Sequence, residues 1–292
     1  MALDTSKIKL PASVVASMVA KAKDTSVVAA LSTPIPQIFA DSKHMLFTDS
    51  AEAEVVAEGA KKSAYETSLK FVEGKRVKLV TTTRVTDELK WADEDCRLQI
   101  VEAIQADQVA ALGRALDYVI LHAVNPKTGS ALDSYQSLVS QASSVTATED
   151  EVANIDAMTD ELIEYSVNGL AVSREFASAL RKLRVPATGQ RLYPEVPLSL
   201  DVADIDGIRA VASGTVNGRK CTEQTKVRAI MGDWDAIKWG MVRDATAELI
   251  EYGDPDNTGV DLKGSNMIAY RTESMFSYAV LDPKAFCVLK SK

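Results

Sequence analysis

Residues 247–290 read AELIEYGDPDNTGVDLKGSNMIAYRTESMFSYAVLDPKAFCVLK, and this stretch decides how the rest of the chain is placed. An apolar strand over 246–252 runs into Gly253-Asp254-Pro255-Asp256, a run of turn-forming residues. A polar connection follows, then an arginine-bearing strand from 267 to 280 that closes on Asp282-Pro283-Lys284-Ala285-Phe286. Strand-like segments resume from about Gly232, so the chain visits one domain, leaves it and comes back.

Upstream, Leu69 and Phe71 alternate with polar residues, as do Val77 and Leu79, and Glu73-Gly74 reads as a tight turn between two strands. Residues 57–68, rich in Lys, Glu and Ala, are too polar to be buried and read as a projecting loop. Asp93-Glu94-Asp95 opens the longest helical pattern, with Leu98, Val101, Ile104, Val109, Leu112, Leu116 and Val119 near the helical period and Asn125-Pro126 ending it. The acids suit a helix N-terminus, where backbone N–H groups and the macrodipole favour negative charge. Such a helix would be about 45 Å long and could serve as a spine. Residues 1–36 end in Ser32-Thr33-Pro34-Ile35-Pro36, whose prolines exclude a continuous helix, and read as an arm rather than a core element.

The middle of the chain mixes the two periodicities. Thr148-Glu149-Asp150-Glu151 resembles a capping box ahead of Val152 and Ile155. Ser173 is placed to cap a helix carrying Phe176, Leu180 and Leu183 that Pro186 stops. Turns at Gly189, Gly207, Gly214 and Gly218 separate short strands, which makes the class α+β.

The 292 residues, 46% hydrophobic and 25% charged, have the balance of a soluble globular protein. That length suggests about two domains. No apolar run reaches the roughly 20 residues that span a bilayer. Lys7 and Lys9 ahead of an apolar stretch, with Ala20-Lys21-Ala22 after it, imitate a secretory signal. Pro11, Ser13 and Ser17 interrupt that stretch, which reads instead as a short helix of a cytoplasmic product. Cys96, Cys221 and Cys287 lack metal-ligand spacing and read as reduced thiols. A net charge of -8 excludes a general polyanion binder, and any contact with DNA should be local.

Enzyme constellations are nearly absent. His44 and His122 are the only histidines, too few for His-rich metal sites or a choice of triads. His44 reads as a polar-loop residue and His122 as a cation near a helix C-terminus. Gly214-Thr215-Val216-Asn217-Gly218-Arg219-Lys220 lacks the glycine spacing and Gly-Lys-Ser/Thr ending of a phosphate loop and reads as a hairpin turn. Asp93-Glu94-Asp95 and Asp254-Pro255-Asp256 lack the ligand spacing of a calcium loop, so neither metal nor cofactor is expected. A soluble enzyme built on these acids is the reading from a different functional class, and a deep polar pocket would be its mark.

The C-terminal stretch resembles the signature of tailed-bacteriophage major capsid proteins, which share the Hong Kong 97-type shell fold. Val55-Val56-Ala57-Glu58-Gly59-Ala60-Lys61-Lys62 is similar to that family's extended-loop segment, and 77–89 to the strand and turn leading to its spine helix. Asn168-Gly169-Leu170-Ala171-Val172 with Gly189-Gln190-Arg191-Leu192-Tyr193 resembles the axial domain, and Met231-Gly232-Asp233-Trp234 the return to the peripheral domain. The resemblance implies an N-terminal arm (1–36), an extended loop hairpin (37–86), a peripheral domain with the spine helix (87–133), an axial domain (134–231) and C-terminal peripheral strands (232–292).

It also implies a structural protein, not an enzyme, that self-assembles as pentamers and hexamers into an icosahedral shell around double-stranded DNA. The implied location is the virion, after assembly in the host bacterial cytoplasm. Implied partners are further copies of the chain, a portal protein, packaged DNA held nonspecifically and decoration proteins, with no membrane. Because the arm begins almost at Met1, either a scaffolding protein acts in trans or the chain is a processed form, and the intact Met1 favours a scaffold in trans. Assembly contacts are expected at Glu58, Lys61, Lys62 and Lys70 of the loop and at Arg271 and Glu273 of the peripheral sheet, residues that could equally form internal ion pairs or a solvated surface. An encapsulin-type nanocompartment shell is the alternative with the same fold.

Some members of that family join neighbouring subunits through an isopeptide bond, and the matching positions here are Lys62, Asn266 and Glu273. The chemistry needs a neutral amine, a carboxamide that loses ammonia, and a carboxylate in an apolar setting to accept the proton. Ser63 stands where cross-linking members commonly have proline. Each of the three has a plainer role open to it: solvated lysine, hydrogen-bonder at a strand start, partner of Arg271.

Overall fold

The computed structural model describes residues 26–35, 43–47, 53–62, 64, 69–96 and 100–292. The helix expected around Pro11 and the periodic position Leu98 lie outside them. Helix α1 (Val27–Leu31) is one short turn, yet Val27 and Val28 are fully buried. Part of the stretch read as an arm outside any core thus lies in the main core.

Strands β1 (Lys43–Phe47) and β2 (Leu69–Glu73) form an antiparallel ribbon with Lys43 opposite Glu73 and Phe47 opposite Leu69. Only Gly74 separates β2 from β3 (Lys75–Thr86), and these two strands do not pair. Glu73-Gly74 is therefore not the hairpin turn that alternation suggested; the chain leaves the ribbon there and continues into a second sheet. Period-2 patterning finds strands but carries no information on which ones pair.

Helices α2 (Asp87–Cys96) and α3 (Ile100–Asp117) follow. The helical run starts at Asp87, earlier than Asp93, and is divided in two. Asp93 still serves a helix N-terminus, since its carboxylate accepts from the N–H groups of Ile100 and Val101 at 2.8 and 3.2 Å. The spine α3 is about 27 Å long at 1.5 Å per residue, shorter than expected. It ends in a π-turn (Tyr118–His122) closed by Ala123 in the left-handed region.

The middle contributes α4 (Leu138–Gln141), β4 (Ser143–Thr146), α5 (Glu151–Glu161), β5 (Gly169–Val172), α6 (Arg174–Lys182), β6 (Asp204–Ile205), β7 (Ile208–Ala212) and β8 (Val227–Gly232). Ser173 caps α6 as expected, accepting from Phe176 N–H. At α5 the cap is Asp150 rather than Thr148, because Asn154 claims Thr148 by accepting from its N–H and hydroxyl. The chain closes with β9 (Ile237–Ile250), β10 (Met267–Val280) and β11 (Phe286–Lys290).

Two larger sheets result. One is antiparallel with order β3-β10-β9, and the other is mixed with order β4-β11-β8-β5-β7-β6. Strand β11, expected among the peripheral strands, pairs instead with β8 and β4 in the six-stranded sheet. Both faces of that sheet are covered, which explains why β5 and β11 read as apolar runs without alternation. Leu170, Val172, Met231 and Leu289 face α5 and α6, while Ala171, Ile230, Phe286 and Val288 face α1 and the end of α3. Trp234 links the two sheets, packing edge-on against Phe286 with ring centroids 5.6 Å apart. A Cβ at Gly169 would stand 2.5 Å from the Trp234 ring, so only glycine fits beneath it.

Asp117, the last residue of α3, is completely buried. Its carboxylate accepts from Ser26 Oγ at 2.6 Å, from the N–H groups of Val27 and Val28 at 2.8 and 3.1 Å, and from Thr215 Oγ1 at 2.8 Å. Burial pushes its carboxyl up to about 6, against the hydrogen bonds that pull it down. His122 meets the same loop, its Nε2 lying 2.8 Å from the Thr215 carbonyl. A carbonyl only accepts, so Nε2 carries the proton. Five positions lie about 140° apart around an α-helix, but a π-turn with i→i+5 bonding brings them nearly into line. The widened turn is what lets both side chains reach one residue.

Asp117→Ala should cost about 3 kcal/mol or more, because it leaves buried backbone donors without an acceptor. Asp117→Asn keeps one acceptor and should cost less; urea denaturation measures both. The folded chain holds this proton more tightly than the unfolded chain, whose carboxyl titrates near 3.8. Stability from Asp117 is thus fullest at low pH and declines as pH rises toward its folded value. The stability of wild type minus that of Asp117→Asn should fall between about pH 4 and pH 6.

Candidate assembly surfaces

The loop and ribbon expose what a folded monomer would normally cover. Among the described loop residues, Glu58, Lys61 and Lys62 are exposed, and Val55 is 99% exposed. On the ribbon Met45 stands opposite Phe71, and the two are 56% and 58% exposed. Lys70 is exposed on β2 beside them. A two-stranded ribbon is marginal in water by itself, and apolar side chains displayed on one lack cover among the described residues.

Strand β10 divides its side chains between two faces. Tyr270, Thr272, Ser274 and Phe276 are buried toward α3, while Arg271, Glu273 and Met275 lie on the outer face. Gln108 of α3 reaches into the inner face, donating to Thr83 Oγ1 and the Tyr270 carbonyl and accepting from Thr272 Oγ1 at 2.7 Å. Val109, counted from the sequence as an inward position, is 53% exposed, and Gln108 occupies the buried register with Ile104 and Leu112. A polar residue at the core spacing was the signal; its partners are far away in sequence.

On the outer face Lys78 Nζ lies 2.9 Å from Glu273 and Arg271 lies 4.0 Å from it. The hydrogen bond from Lys78 holds the Glu273 carboxyl below its ordinary range, and Arg271 and Arg243 act in the same direction. Asn266 is exposed, in the left-handed region at φ 50°, and its carbonyl accepts from Asp87 N–H at 3.0 Å. It lies seven residues before Glu273 on an extended path, about 20 Å away. Within one chain, Glu273 is therefore surrounded by cations and distant from Asn266. Lys62 lies on the exposed loop.

The Gly253-Asp254-Pro255-Asp256 turn is held from beneath. Arg84, 8% exposed, pairs with both Asp254 and Asp256 and donates to the Val260 carbonyl at 2.9 Å. Arg271 adds a bond to the Pro255 carbonyl. These acids are thus turn residues anchored by arginine. Among the described residues no group of three or more His, Cys, Asp or Glu is placed to hold a metal.

Three further residues differ from their expected settings. His44 is a half-buried strand residue opposite Val72, not a loop residue. His122 is no cation at the helix end, because burial lowers its pKa. Thr215 and Val216, in the glycine-rich segment, are buried against the end of α3 rather than displayed for a phosphate.

A family model described as the phage capsid family matches residues 8–291. The chain belongs to that family. A solved structure from Mycobacterium phage Ogopogo is 33% identical, with a TM-score of 0.82 over 93% of this chain and 94% of that one. One from Gordonia phage Cozz is 27% identical, with a TM-score of 0.79 over 93% and 88%. The major capsid protein of Staphylococcus phage 80alpha is 26% identical over 148 residues, 49% of this chain and 42% of that protein. This last match spans less than half of the relative's length. The α+β architecture is thus the Hong Kong 97-type fold of phage capsid proteins, in which the two strands read from residues 247–290, β9 and β10, pair antiparallel.

Arg84→Ala would leave Asp254 and Asp256 side by side without their cation, and amide exchange across 251–266 should rise about tenfold while β5 and β11 stay protected. Hydrogen-exchange mass spectrometry reads both regions at once. Lys78→Ala should raise the Glu273 pKa toward the ordinary carboxylate range, followed by NMR titration. In wild type this pair stabilises above the unfolded carboxyl's pKa, and that contribution is lost as pH falls through the depressed folded value.

Proposed function

We propose that this chain is the major capsid protein of a tailed double-stranded DNA phage or prophage, assembling as pentamers and hexamers into an icosahedral shell around the genome. The observation that carries the reading is the family match over nearly the whole chain, joined to a 33% identical phage structure covering 93% of it. The exposed ribbon supports it physically, since the described residues leave its apolar pair Met45 and Phe71 uncovered, a surface that a neighbouring subunit would bury. Family and relatives favour the phage shell over the nanocompartment alternative.

In this reading the loop residues Glu58, Lys61, Lys62 and Lys70 and the sheet residues Arg271 and Glu273 form contacts between subunits, and the arm, extended loop, peripheral and axial regions take the parts their names describe. A scaffolding protein in trans, a portal protein and decoration proteins would meet the same shell. The acidic chain would touch packaged DNA only locally and without sequence preference. Among the described residues no helix is long and apolar enough to cross a membrane. Virion location, with assembly in the host cytoplasm, completes the proposal.

The shell is held by noncovalent contacts. The support is the setting of Glu273, ion-paired and far from Asn266 in its own chain. Isopeptide formation at Lys62, Asn266 and Glu273 would require groups drawn from different subunits and a carboxylate freed from its cations.

Negative-stain microscopy of the chain, expressed with and without its neighbouring genes, should show closed particles or rings of five and six. A compact monomer or dimer under both conditions would overturn the reading. Mature particles boiled in detergent should run as monomers, and a ladder that disappears in Lys62→Ala would establish the cross-link instead.

A further inference from the structure

Two helices cover one face of the six-stranded sheet, and the ends of both carry charge that nothing in the chain answers. Helix α5 lies over β4 and β11, and α6 over β8. No lysine or arginine stands between 128 and 173. Asp160 and Glu161 close α5 and Glu164 follows, all exposed, around an Ile163 that is 82% exposed. A helix C-terminus favours cations, so acids stand here at the unfavourable end. The last turn of α5 holds no basic residue to offset them. Asp156 and Asp160, one turn apart, add a like-charge repulsion.

After α6 the chain turns back through Pro186-Ala187-Thr188-Gly189 as a short hairpin with Arg184 opposite Arg191. Val185 N–H bonds to the Gln190 carbonyl and Leu192 N–H to the Leu183 carbonyl. That pattern makes the two arginines a non-hydrogen-bonded pair, whose Cα atoms approach to about 4.5 Å. Like charges directly opposite one another are destabilising. Lys182 adjoins them, all three are exposed, and no Asp or Glu stands between 176 and 194. Arg184 Nη1 donates to the carbonyls of Arg181 and Leu183, a local reason for a cation at the end of α6. Arg191 has no such reason, and beside it Leu192 is 41% exposed.

Among the described residues none of Lys182, Arg184, Arg191, Asp160, Glu161 and Glu164 forms an ion pair. Tyr193, at the foot of the hairpin, bonds to Asp206 in the turn between β6 and β7, and Asp156 faces it from α5. Strands β4 and β11 beneath α5 lie toward one edge of the sheet, and β7 and β6 at the other. Each surface sets charge beside an exposed apolar residue, each is electrostatically unfavourable alone, and each supplies what the other lacks.

We propose that the Arg184–Arg191 hairpin of one copy of this chain docks on the acidic end of α5, Asp160 to Glu164, of a second copy. The two surfaces differ, so the contact is heterologous, and repeating it around an axis closes a ring. It rests on the shell reading above and names one contact that would make the shell. Opposite charges across it speed association and make it sensitive to salt.

The test reverses one exposed charge on each side in the full chain, Arg191→Glu and Glu164→Arg, singly and together. Light scattering at low salt follows assembly under conditions in which the wild type forms particles. Each single reversal should slow assembly about tenfold, and the double swap should restore it toward the wild-type rate. Urea denaturation of the unassembled chain should show both single variants at least as stable as wild type, because each relieves a local repulsion. Variants that assemble poorly because they unfold more easily would overturn the contact, as would impaired single variants that the double swap fails to rescue. Single variants that assemble at the wild-type rate, with the wild-type salt dependence, would overturn it while leaving the shell intact. If Arg191→Glu then also lost salt-dependent retention of duplex DNA, the hairpin would belong to the genome and not to a neighbouring subunit. A wild-type chain that never assembles would sink the shell reading itself, and the contact with it.

Discussion

The structure depends on one buried carboxylate. Asp117 ends the spine helix inside the core, where an ion without partners would be untenable. It is tolerated because two distant parts of the chain satisfy it: the Ser26 hydroxyl with the first N–H groups of α1, and the Thr215 hydroxyl from the loop between β7 and β8. A helix as short as α1 has little stability of its own. Capped by Asp117 and held by Val27, Val28 and Leu31, it becomes part of the core. Downstream, Trp239 Nε1 donates to Ser32 Oγ at 2.8 Å and Ile35 N–H to the Trp239 carbonyl at 2.7 Å, so the segment after α1 is fastened to β9 as well.

Around this joint the two sheets divide the work. The six-stranded sheet is covered on both faces and supplies most of the buried apolar surface. The three-stranded sheet packs one face on the spine, and the middle of its other face carries Arg271 and Glu273. Its long strands carry structure away from the core toward the ribbon at one end and the acidic loop at the other. A subunit built this way is stable at its centre and unfinished at its edges, as a shell component must be.

Much of the fold is legible from residue patterns. The strands around Glu73, the final long strand, the Ser173 cap and the helical stripe of Ile104, Leu112 and Leu116 follow from periodicity and capping chemistry, which are local. The candidate surfaces are legible only in part. Exposed loop lysines read as exposed because Lys61 and Lys62 sit in a run of charged and small residues with no apolar period. Whether Glu273 is a reactive base or an ion-paired carboxylate turns on Lys78, its neighbour across the sheet, and no pattern within the strand reveals it. Arg84 likewise reads as one charge in a threonine-rich strand until the turn 170 residues later closes over it.

By itself, the sequence determined the α+β class, the long C-terminal strands, the spine and the likeness to phage capsid proteins, because these depend on local propensity and on motifs in fixed order. Tertiary structure alone decided that Glu73-Gly74 joins two different sheets, that β11 lies inside the six-stranded sheet, that the spine ends in a π-turn, and that Val27 and Val28 are core residues. Each of these turns on a contact between distant parts of the chain. Strand pairing and the burial of a polar group are settled by which partners the fold brings within hydrogen-bonding reach, and Asp117, an ordinary acid at the end of a helical run in the sequence, becomes the centre of the molecule only when Ser26 and Thr215 close around it.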